Sequence, residues 1–402
     1  MTFPFHLFTI GLLACTLFAG GARASLWTGF KGDFKGDVEI GHQLGSRLRD
    51  EAITRNRFYL MAKEELTFNL PARAGGSGKI ITITAAARGW AGKENEFDLR
   101  ALSAEFSQEI YKVNVGFQEI AWGETFGFFI ADIVNPRDYR DSLFNELAWI
   151  RVPVFALNGQ LFLGKLTVQG VVTPVARMNR LSESGGGRFF DEPKGQAAEF
   201  GGRASFLFDF GLDLGFFYYR HYNRNPVYLL NNAGGTADAR FVPVVRLVDT
   251  FGLTASQATG SFVFRADSVL HLQQPQQTDD FSAAPEENQW QAIFGGDLTA
   301  ESGAIFGLQY HTDWTNQGFR HWASFLTRDR WLDGKFETEF FVFRGIGNSD
   351  LWFEPKLSWN ASASLTVSVR TDLLSAGERL SDGVLSAFRE EDRFLTWVTY
   401  RF

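Results

Sequence analysis

The chain has 402 residues and a formal net charge of −7, so it lacks the basic excess that holds nucleic acid. It carries 42 Phe, 11 Trp and 41 Gly but only 3 Met and 1 Cys, a composition suited to an exported β protein with a large apolar exterior. The only cysteine is Cys15, in the N-terminal apolar run; if that run is removed, disulfides and thiolate metal sites are excluded.

Residues 1–24 read MTFPFHLFTIGLLACTLFAGGARA. The apolar run from Leu7 to Ala19 is followed by Ala22-Arg23-Ala24, the small-x-small pattern of a cleavage site. This predicts a cleaved signal peptide over 1–24 and one mature domain over 25–402. The run is shorter than the roughly 20 residues that a membrane-spanning helix needs. Leu12-Leu13-Ala14-Cys15 offers a competing lipoprotein reading, but the apolar run continues past Cys15 and a better site follows at Ala24. No stretch after residue 24 reads as a membrane helix.

From there the chain alternates apolar and polar residues with period two, the signature of β-strands. In 365–373, LTVSVRTDL, Leu365, Val367, Val369, Thr371 and Leu373 share one face, opposite Thr366, Ser368, Arg370 and Asp372. The same alternation places eighteen strands near 36–44, 55–70, 79–91, 98–109, 111–122, 148–157, 160–173, 198–210 and 212–223, then 243–256, 260–273, 289–300, 303–314, 321–332, 335–347, 351–361, 365–375 and 391–402. Sixteen is the alternative count. Even-numbered connections such as NGQ, FGLD, QATG, ESG and DGK are short, whereas 123–147, 174–197, 224–242, 274–288 and 376–390 are all odd-numbered. Such sorting predicts an all-β, transmembrane antiparallel up-and-down barrel, with short periplasmic turns and long extracellular loops. Tyr222, Trp290, Trp314, Trp322, Trp331, Trp352 and Tyr400 fall near strand ends, where interfacial aromatic girdles belong. Glu64 and Asp249 fall on apolar faces, which bulges or a different register would explain.

The chain ends RFLTWVTYRF, with Phe394, Thr396, Val398, Tyr400 and Phe402 on one face. This resembles the C-terminal assembly signal of Gram-negative outer-membrane proteins, read by the barrel-assembly machinery through residues such as Tyr400 and Phe402. With the apolar face toward outer-membrane lipid, the lumen lining includes Arg88, Arg151, Lys165, Arg203, Arg265, Asp267, Glu354, Lys356, Arg370 and Asp372. The set is mixed in sign. It reads equally as a wetted pore wall or as a cross-lumen network, because an unpaired buried charge is costly.

Chemistry finds little support. A hydrolase needs a nucleophile, a base and an orienting group within reach of one another. His311 and Asp313 share a strand face, and Ser268 is near His271, but polar lumen residues explain both. No metal-ligand spacing and no phosphate-binding loop are present, so no catalytic, metal or cofactor residues are expected.

The stretch AWGETFGFFIADIVNPRDYRDS, 121–142, breaks the alternation with an apolar cluster followed by a turn. As a surface loop it would expose that cluster. Folded inward, it would narrow the barrel mouth, with Asp132, Asn135, Arg137 and Asp138 near the constriction; packed on neighbouring loops, it would merely shield the rim. The segment, with Trp122, Gly123, Asp132, Asn135, Pro136 and Asp138, resembles a proteobacterial porin-like outer-membrane family of unknown function. FVFRADSVLHLQ, 262–273, resembles a later part of the same family. The resemblance implies a porin-like barrel in the outer membrane of a Gram-negative bacterium, with exporter components as partners and hydrophobic cargo among the options. The expectation is a channel for passive, selective passage. A plugged barrel serving an envelope export complex and a barrel enzyme are the alternatives.

Overall fold

The computed structural model describes residues 31–48, 53–70, 78–92, 95–140, 150–180, 197–231, 240–278, 280–316, 318–377, 385–388 and 392–402. The predicted signal segment 1–24 lies outside them.

The first half of the chain forms β1 (Lys31–Arg47), β2 (Ile53–Leu70), β3 (Lys79–Ala91), β4 (Glu96–Gln108), β5 (Tyr111–Gln118), β6 (Val154–Leu163), β7 (Leu166–Thr173), β8 (Glu199–Leu207) and β9 (Leu212–Tyr222). A separate hairpin follows, β10 (Val227–Asn231) and β11 (Arg240–Val244). Then come β12 (Leu247–Thr259), β13 (Phe262–Pro275), β14 (Glu286–Thr299), β15 (Ile305–Thr315), β16 (Gly318–Trp331), β17 (Phe336–Ile346), β18 (Leu351–Asn360), β19 (Leu365–Ser375) and β20 (Arg393–Arg401).

Apart from the hairpin, each strand pairs antiparallel with its sequence neighbours. β9 pairs with β12, and β1 pairs with β20, so the 18-stranded sheet closes on itself. Closure leaves no strand edge unpaired, which removes the main route to edge-to-edge aggregation.

The alternation decides which face is which. In β9, Leu214 and Phe216 are 41% and 50% exposed, whereas Phe217 and Tyr219 are fully buried. In β20, Phe394, Val398 and Tyr400 face out while Arg393, Leu395, Trp397 and Thr399 are buried inside. The exterior is therefore apolar and the interior polar and aromatic, the inverse of a soluble protein and the architecture of a transmembrane barrel. Among the described residues no helix is long and apolar enough to cross a membrane.

Loops sort by end as expected. The turns at 109–110, 164–165, 208–211, 260–261, 300–304, 332–335 and 361–364 share one rim, here the turn end. The long connections 119–153, 174–198, 223–246 and 376–392 leave the other, the loop end.

Several expectations are corrected. The turn expected at Asn158-Gly159-Gln160 lies at Gly164-Lys165 instead, and the residues of NGQ are paired inside β6. Gly164 has φ of 67°, which suits the first centre of a two-residue hairpin and which a side chain at 159 or 160 does not need. Arg151 and Pro153 therefore precede the strand. Glu64 and Asp249 face outward in unbroken register, opposite Gly36 and Arg220 respectively, so neither marks a bulge. Asp249 is satisfied by Arg220 at 2.9 Å and by the Tyr218 hydroxyl at 2.7 Å. Trp322 and Trp352 point inward, not into a girdle, and are 3% and 8% exposed.

Candidate functional site

The fifth strand stops at Gln118, four residues short of its expected end, and the chain turns into the barrel. Residues 119–140 do not reach out from the rim. Trp122 packs on Phe217 and Tyr219 of β9, with ring centroids 5.2 and 5.5 Å apart. Next, Glu124 and Thr125 bind Asp267 of β13: Thr125 donates from N at 3.1 Å and from Oγ1 at 2.7 Å. Phe128 then stacks on Phe343 of β17 at 4.4 Å and meets His311 of β15 edge-on at 5.2 Å. Around the ring β17 stands ten strands from β5 in one direction and eight in the other. A segment that starts at β5 and ends against β17 therefore crosses the lumen.

Local chemistry explains why the segment holds this shape. Asn135 is 2% exposed and staples the two limbs of the loop. It accepts from Ile120 N at 2.6 Å and donates to Gln118 O at 3.2 Å and Val152 O at 2.8 Å. Asp132 accepts from Trp122 N at 2.8 Å and Gly123 N at 2.9 Å, and its other oxygen takes both Nε and Nη2 of Arg151. Between these staples Ile120, Trp122, Ala131, Ile133 and Val134 form a buried cluster with Val154, Ala156, Val171, Phe217, Tyr219 and Val269 of the wall. Of the apolar run, Ala131, Ile133 and Val134 are buried here, while Phe128, Phe129 and Ile130 are half-buried.

Asp138 fastens the root. It accepts from Arg140 Nε at 2.9 Å and lies 3.3 Å from Arg180 Nη1, which also reaches Asp98 at 2.7 Å; Asp98 in turn pairs with Arg88 at 2.9 Å. Arg137 donates from N to Asn179 Oδ1 at 2.7 Å and from its guanidinium to Phe129 O.

The wall is cut to receive the loop. A Cβ on Gly307 of β15 would lie 2.4 Å from the Phe126 ring, so only glycine fits beneath it. Gln309, two residues along, donates from its side-chain nitrogen to Phe126 O at 2.8 Å and accepts from Phe126 N at 3.1 Å. Gly307→Val is therefore expected to lift Phe126 off the wall while leaving the barrel folded. Limited proteolysis of the folded protein should then cut near residue 126, a site protected in the parent; continued protection would show that the ring is not seated there.

The expected lumen residues form two groups, with Lys356, Arg151 and Lys165 placed separately. Arg203, Arg265 and Asp267 bind the loop tip: Arg203 reaches Glu124 Oε1 at 3.0 Å, and Arg265 reaches Glu124 O at 3.2 Å and Asp297 at 2.8 Å. Arg88, Glu354, Arg370 and Asp372 pair along the wall, with Arg370 3.8 Å from Glu354 and 3.3 Å from Asp372, while Arg393 reaches Asp372 at 2.9 Å. Lys356 lies over the Trp397 ring at 5.3 Å. Arg151 is in the loop's returning limb. Lys165 is not in the wall at all. It lies in the β6–β7 turn, 48% exposed and paired with Asp209, because the turn falls at Gly164-Lys165. The interior charges thus form wall pairs and wall-to-loop pairs of mixed sign.

The residues considered for chemistry are engaged elsewhere. His311 Nε2 bonds Ser324 Oγ at 3.0 Å, and Asp313 pairs with Arg320 at 3.0 Å. Ser268 faces out and accepts from Trp290 Nε1 at 2.9 Å, on the opposite face from His271.

Sequence reading missed Arg224 and Glu199. Arg224 donates to Ile133 O at 3.0 Å and Val134 O at 2.8 Å while bound by both oxygens of fully buried Glu199, at 2.8 and 2.9 Å. Only the carboxylate at the start of a strand hinted at a clamp. A second in-folded segment was also missed: Leu385 is fully buried beside Trp322, Phe341, Phe343, Trp352 and Leu374, and Phe128 joins that cluster.

Two acids outside the strands titrate in opposite senses. Burial disfavours the charge on Asp138, but its hydrogen bond to Arg140 and the nearby Arg180 outweigh it and hold its carboxyl below the usual range. Burial of Glu119 wins over Arg100 and Arg151 and pushes its carboxyl up. A lowered carboxyl contributes stability above its unfolded value, about 3.9, and loses it as pH falls through the folded one. A raised one does the reverse, stabilising at low pH and losing that contribution as pH rises. The Asp138 tether is therefore expected to hold at mildly acidic pH and to fail only in stronger acid, read as protease sensitivity of the loop against pH. Asp138→Asn should lose protection already at neutral pH; equal protection across the range in both proteins would contradict the role.

No protein-family model matches the chain, and no curated protein matches its sequence. Solved structures do share its architecture. Acinetobacter baumannii OccAB1 aligns with 92% of the chain and 96% of its own, at 8% identity and a TM-score of 0.57. Salmonella typhi OmpF, in complex with daunomycin, aligns with 93% and 98% at 11% identity and a TM-score of 0.49. A mutant of the Rh. blastica porin aligns with 92% and 100% at 9% identity and a TM-score of 0.46. At 8% identity the likeness to OccAB1 is one of fold alone: the two chains share a closed-barrel architecture.

Proposed function

We propose that the protein is an outer-membrane channel for passive, selective passage of small solutes, narrowed by loop 119–140. The observation that supports this most is the lumen-crossing path of that loop, fixed at Asp267 and Phe343 on walls far from its origin. The turn end then faces the periplasm and the loop end the exterior, with both chain ends on the periplasmic side. Mixed-sign pairs along the wall favour a weakly charge-selective passage over a strongly ion-selective one. Assembly would use the outward aromatic face ending in Tyr400 and Phe402, where Phe402 N donates to Val38 O at 3.0 Å and locks the terminus onto β1.

The purified barrel in a planar bilayer should give discrete, ohmic single-channel steps. A second reading, a plugged barrel that serves an envelope export complex, is favoured by buried Leu385 and half-buried Phe128 meeting in one aromatic cluster beneath the loop end. That reading predicts a closed purified barrel which conducts only with exporter components added.

A further inference from the structure

The outer wall carries polar side chains at the loop end of β15, β16 and β17 that the channel reading leaves unused. Gln309, His311, Ser324, Phe341 and Phe343 hold buried inward positions on these strands, so the alternation turns Thr312, His321 and Arg344 outward. Thr312 pairs with His321, and His321 with Ile346. Arg344 is two residues before Ile346 and pairs with Ala323, which makes it a diagonal neighbour of His321 on the outer face. All three lie close to the rim, since β15 ends at Thr315, β16 begins at Gly318 and β17 ends at Ile346.

Their hydrogen bonding is incomplete. The Tyr310 hydroxyl is 2.8 Å from His321 Nδ1, and the Tyr310 and Phe319 rings flank the imidazole with centroids at 5.7 and 5.9 Å. With that hydroxyl donating to Nδ1, Nε2 carries the ring hydrogen, and among the described residues nothing accepts it. The Thr312 hydroxyl is buried and has no partner. Arg344 makes one hydrogen bond, from Nη1 to Asp350 O at 3.4 Å, an oxygen that already accepts from Gly345 N at 2.8 Å. Its guanidinium thus reaches toward the rim, as a long cation on an apolar wall does, and leaves Nε and Nη2 unused. No carboxylate neutralises it. Asp350 accepts from the inward Trp322 Nε1 at 2.8 Å, and Asp329, the one carboxylate that faces out from the described residues of β15 to β19, is at the turn end. Arg220 on β9 differs, because Asp249 pairs with it at 2.9 Å. Polar groups on a lipid-facing wall are costly without partners. Here three donors, one of them a permanent cation, share a patch with no acceptor, so the missing partner is an anion rich in acceptors.

We propose that this patch binds a phosphate of a phosphorylated glucosamine lipid, of the lipid A type, in the exterior leaflet. Arg344 and His321 donate to the phosphate, Thr312 donates to the same headgroup, and the acyl chains run down the apolar wall past Phe325 and Phe340, which are 39% and 41% exposed. Leaflet and charge agree, since the loop end faces the exterior and that leaflet of a Gram-negative outer membrane holds such lipids. The proposal rests on the exterior placement of the loop end and not on conductance.

The test uses the full-length barrel in detergent with added diphosphoryl lipid A, read by native mass spectrometry. The parent should retain one lipid A per chain. Arg344→Gln should weaken retention roughly tenfold, the loss of one charge-assisted contact. His321→Phe keeps a ring between Tyr310 and Phe319 but removes the donor, and should weaken retention by a smaller factor. Arg220→Gln should retain lipid A as the parent does, and dephosphorylated lipid A should not distinguish the parent from Arg344→Gln. Equal retention by the parent and Arg344→Gln overturns the site and leaves Arg344 a rim contact only. A loss as large in Arg220→Gln overturns it in favour of overall charge, and phosphatidylglycerol held as tightly as lipid A overturns the glycolipid assignment. Placement is read separately with Ser349→Cys, an exposed rim position, by an impermeant maleimide on intact cells. Labelling without lipid A retention overturns the site alone, whereas a lack of labelling overturns the placement beneath it.

Discussion

Excising Thr125–Ile130 and closing the gap with two glycines is expected to raise single-channel conductance severalfold. The cut removes the part of the loop that crosses the lumen, including Phe126 on Gly307 and Phe128 on Phe343. It spares both staples, since Trp122 N and Gly123 N already reach Asp132 Oδ1 at 2.8 and 2.9 Å and hold the cut ends close. The wall loses a lining and no strand pairing, so heat-modifiable mobility on gels should stay that of the parent. Unchanged conductance in a folded variant would mean that the loop shields the rim and does not set the aperture.

The second large effect is on loop order. Asp132→Ala strands the Arg151 guanidinium and two backbone N–H groups against the apolar cluster. Removing one partner of a buried ion pair costs roughly 3–5 kcal/mol, because the other charge is left uncompensated. Asn135→Ala frees Ile120 N and the carbonyls of Gln118 and Val152, at about 1–3 kcal/mol for each buried group left without a partner. Either change should release the loop while the barrel stays closed, seen as rapid amide exchange across 119–135 with slow exchange in β13 and β15. Asp132→Asn keeps acceptor capacity for Trp122 and Gly123, and should be milder. Exchange that rises equally in loop and wall would point to a global effect and contradict the staple role.

The barrel was legible because period two is a local property. Each strand announces its lipid face through residues such as Leu214 and Phe216, and a sheet with one apolar face turned to lipid must close to leave no edge there. The inward turn of 121–142 was legible for a different reason, as an apolar run that no surface loop should expose. Its partners were not, because contacts such as Thr125 with Asp267 or Phe126 with Gln309 join residues more than 140 positions apart. Local pattern also mistook the β6–β7 turn, since Asn158-Gly159 and Gly164-Lys165 both have turn composition and only pairing with β5 chooses between them. Trp322 and Trp352 misled similarly: an aromatic at a strand end suits a girdle, but the in-folded segment around Leu385 gives it a better partner inside.

The seam between β1 and β20 sets the order of events in making this molecule. Ile40 faces Tyr400 and Arg47 faces Arg393, so the first strand's final partner is the last strand of the sheet to emerge. Until then β1 can pair only with β2, and the sheet remains an open ribbon with an apolar face and two raw margins. Contacts this distant in sequence repay their loop-closure entropy only at the end, which makes such topologies slow and exposed while they wait. A chain truncated before residue 393 would therefore lose more than a strand: it would lose the event that turns a sheet into a vessel.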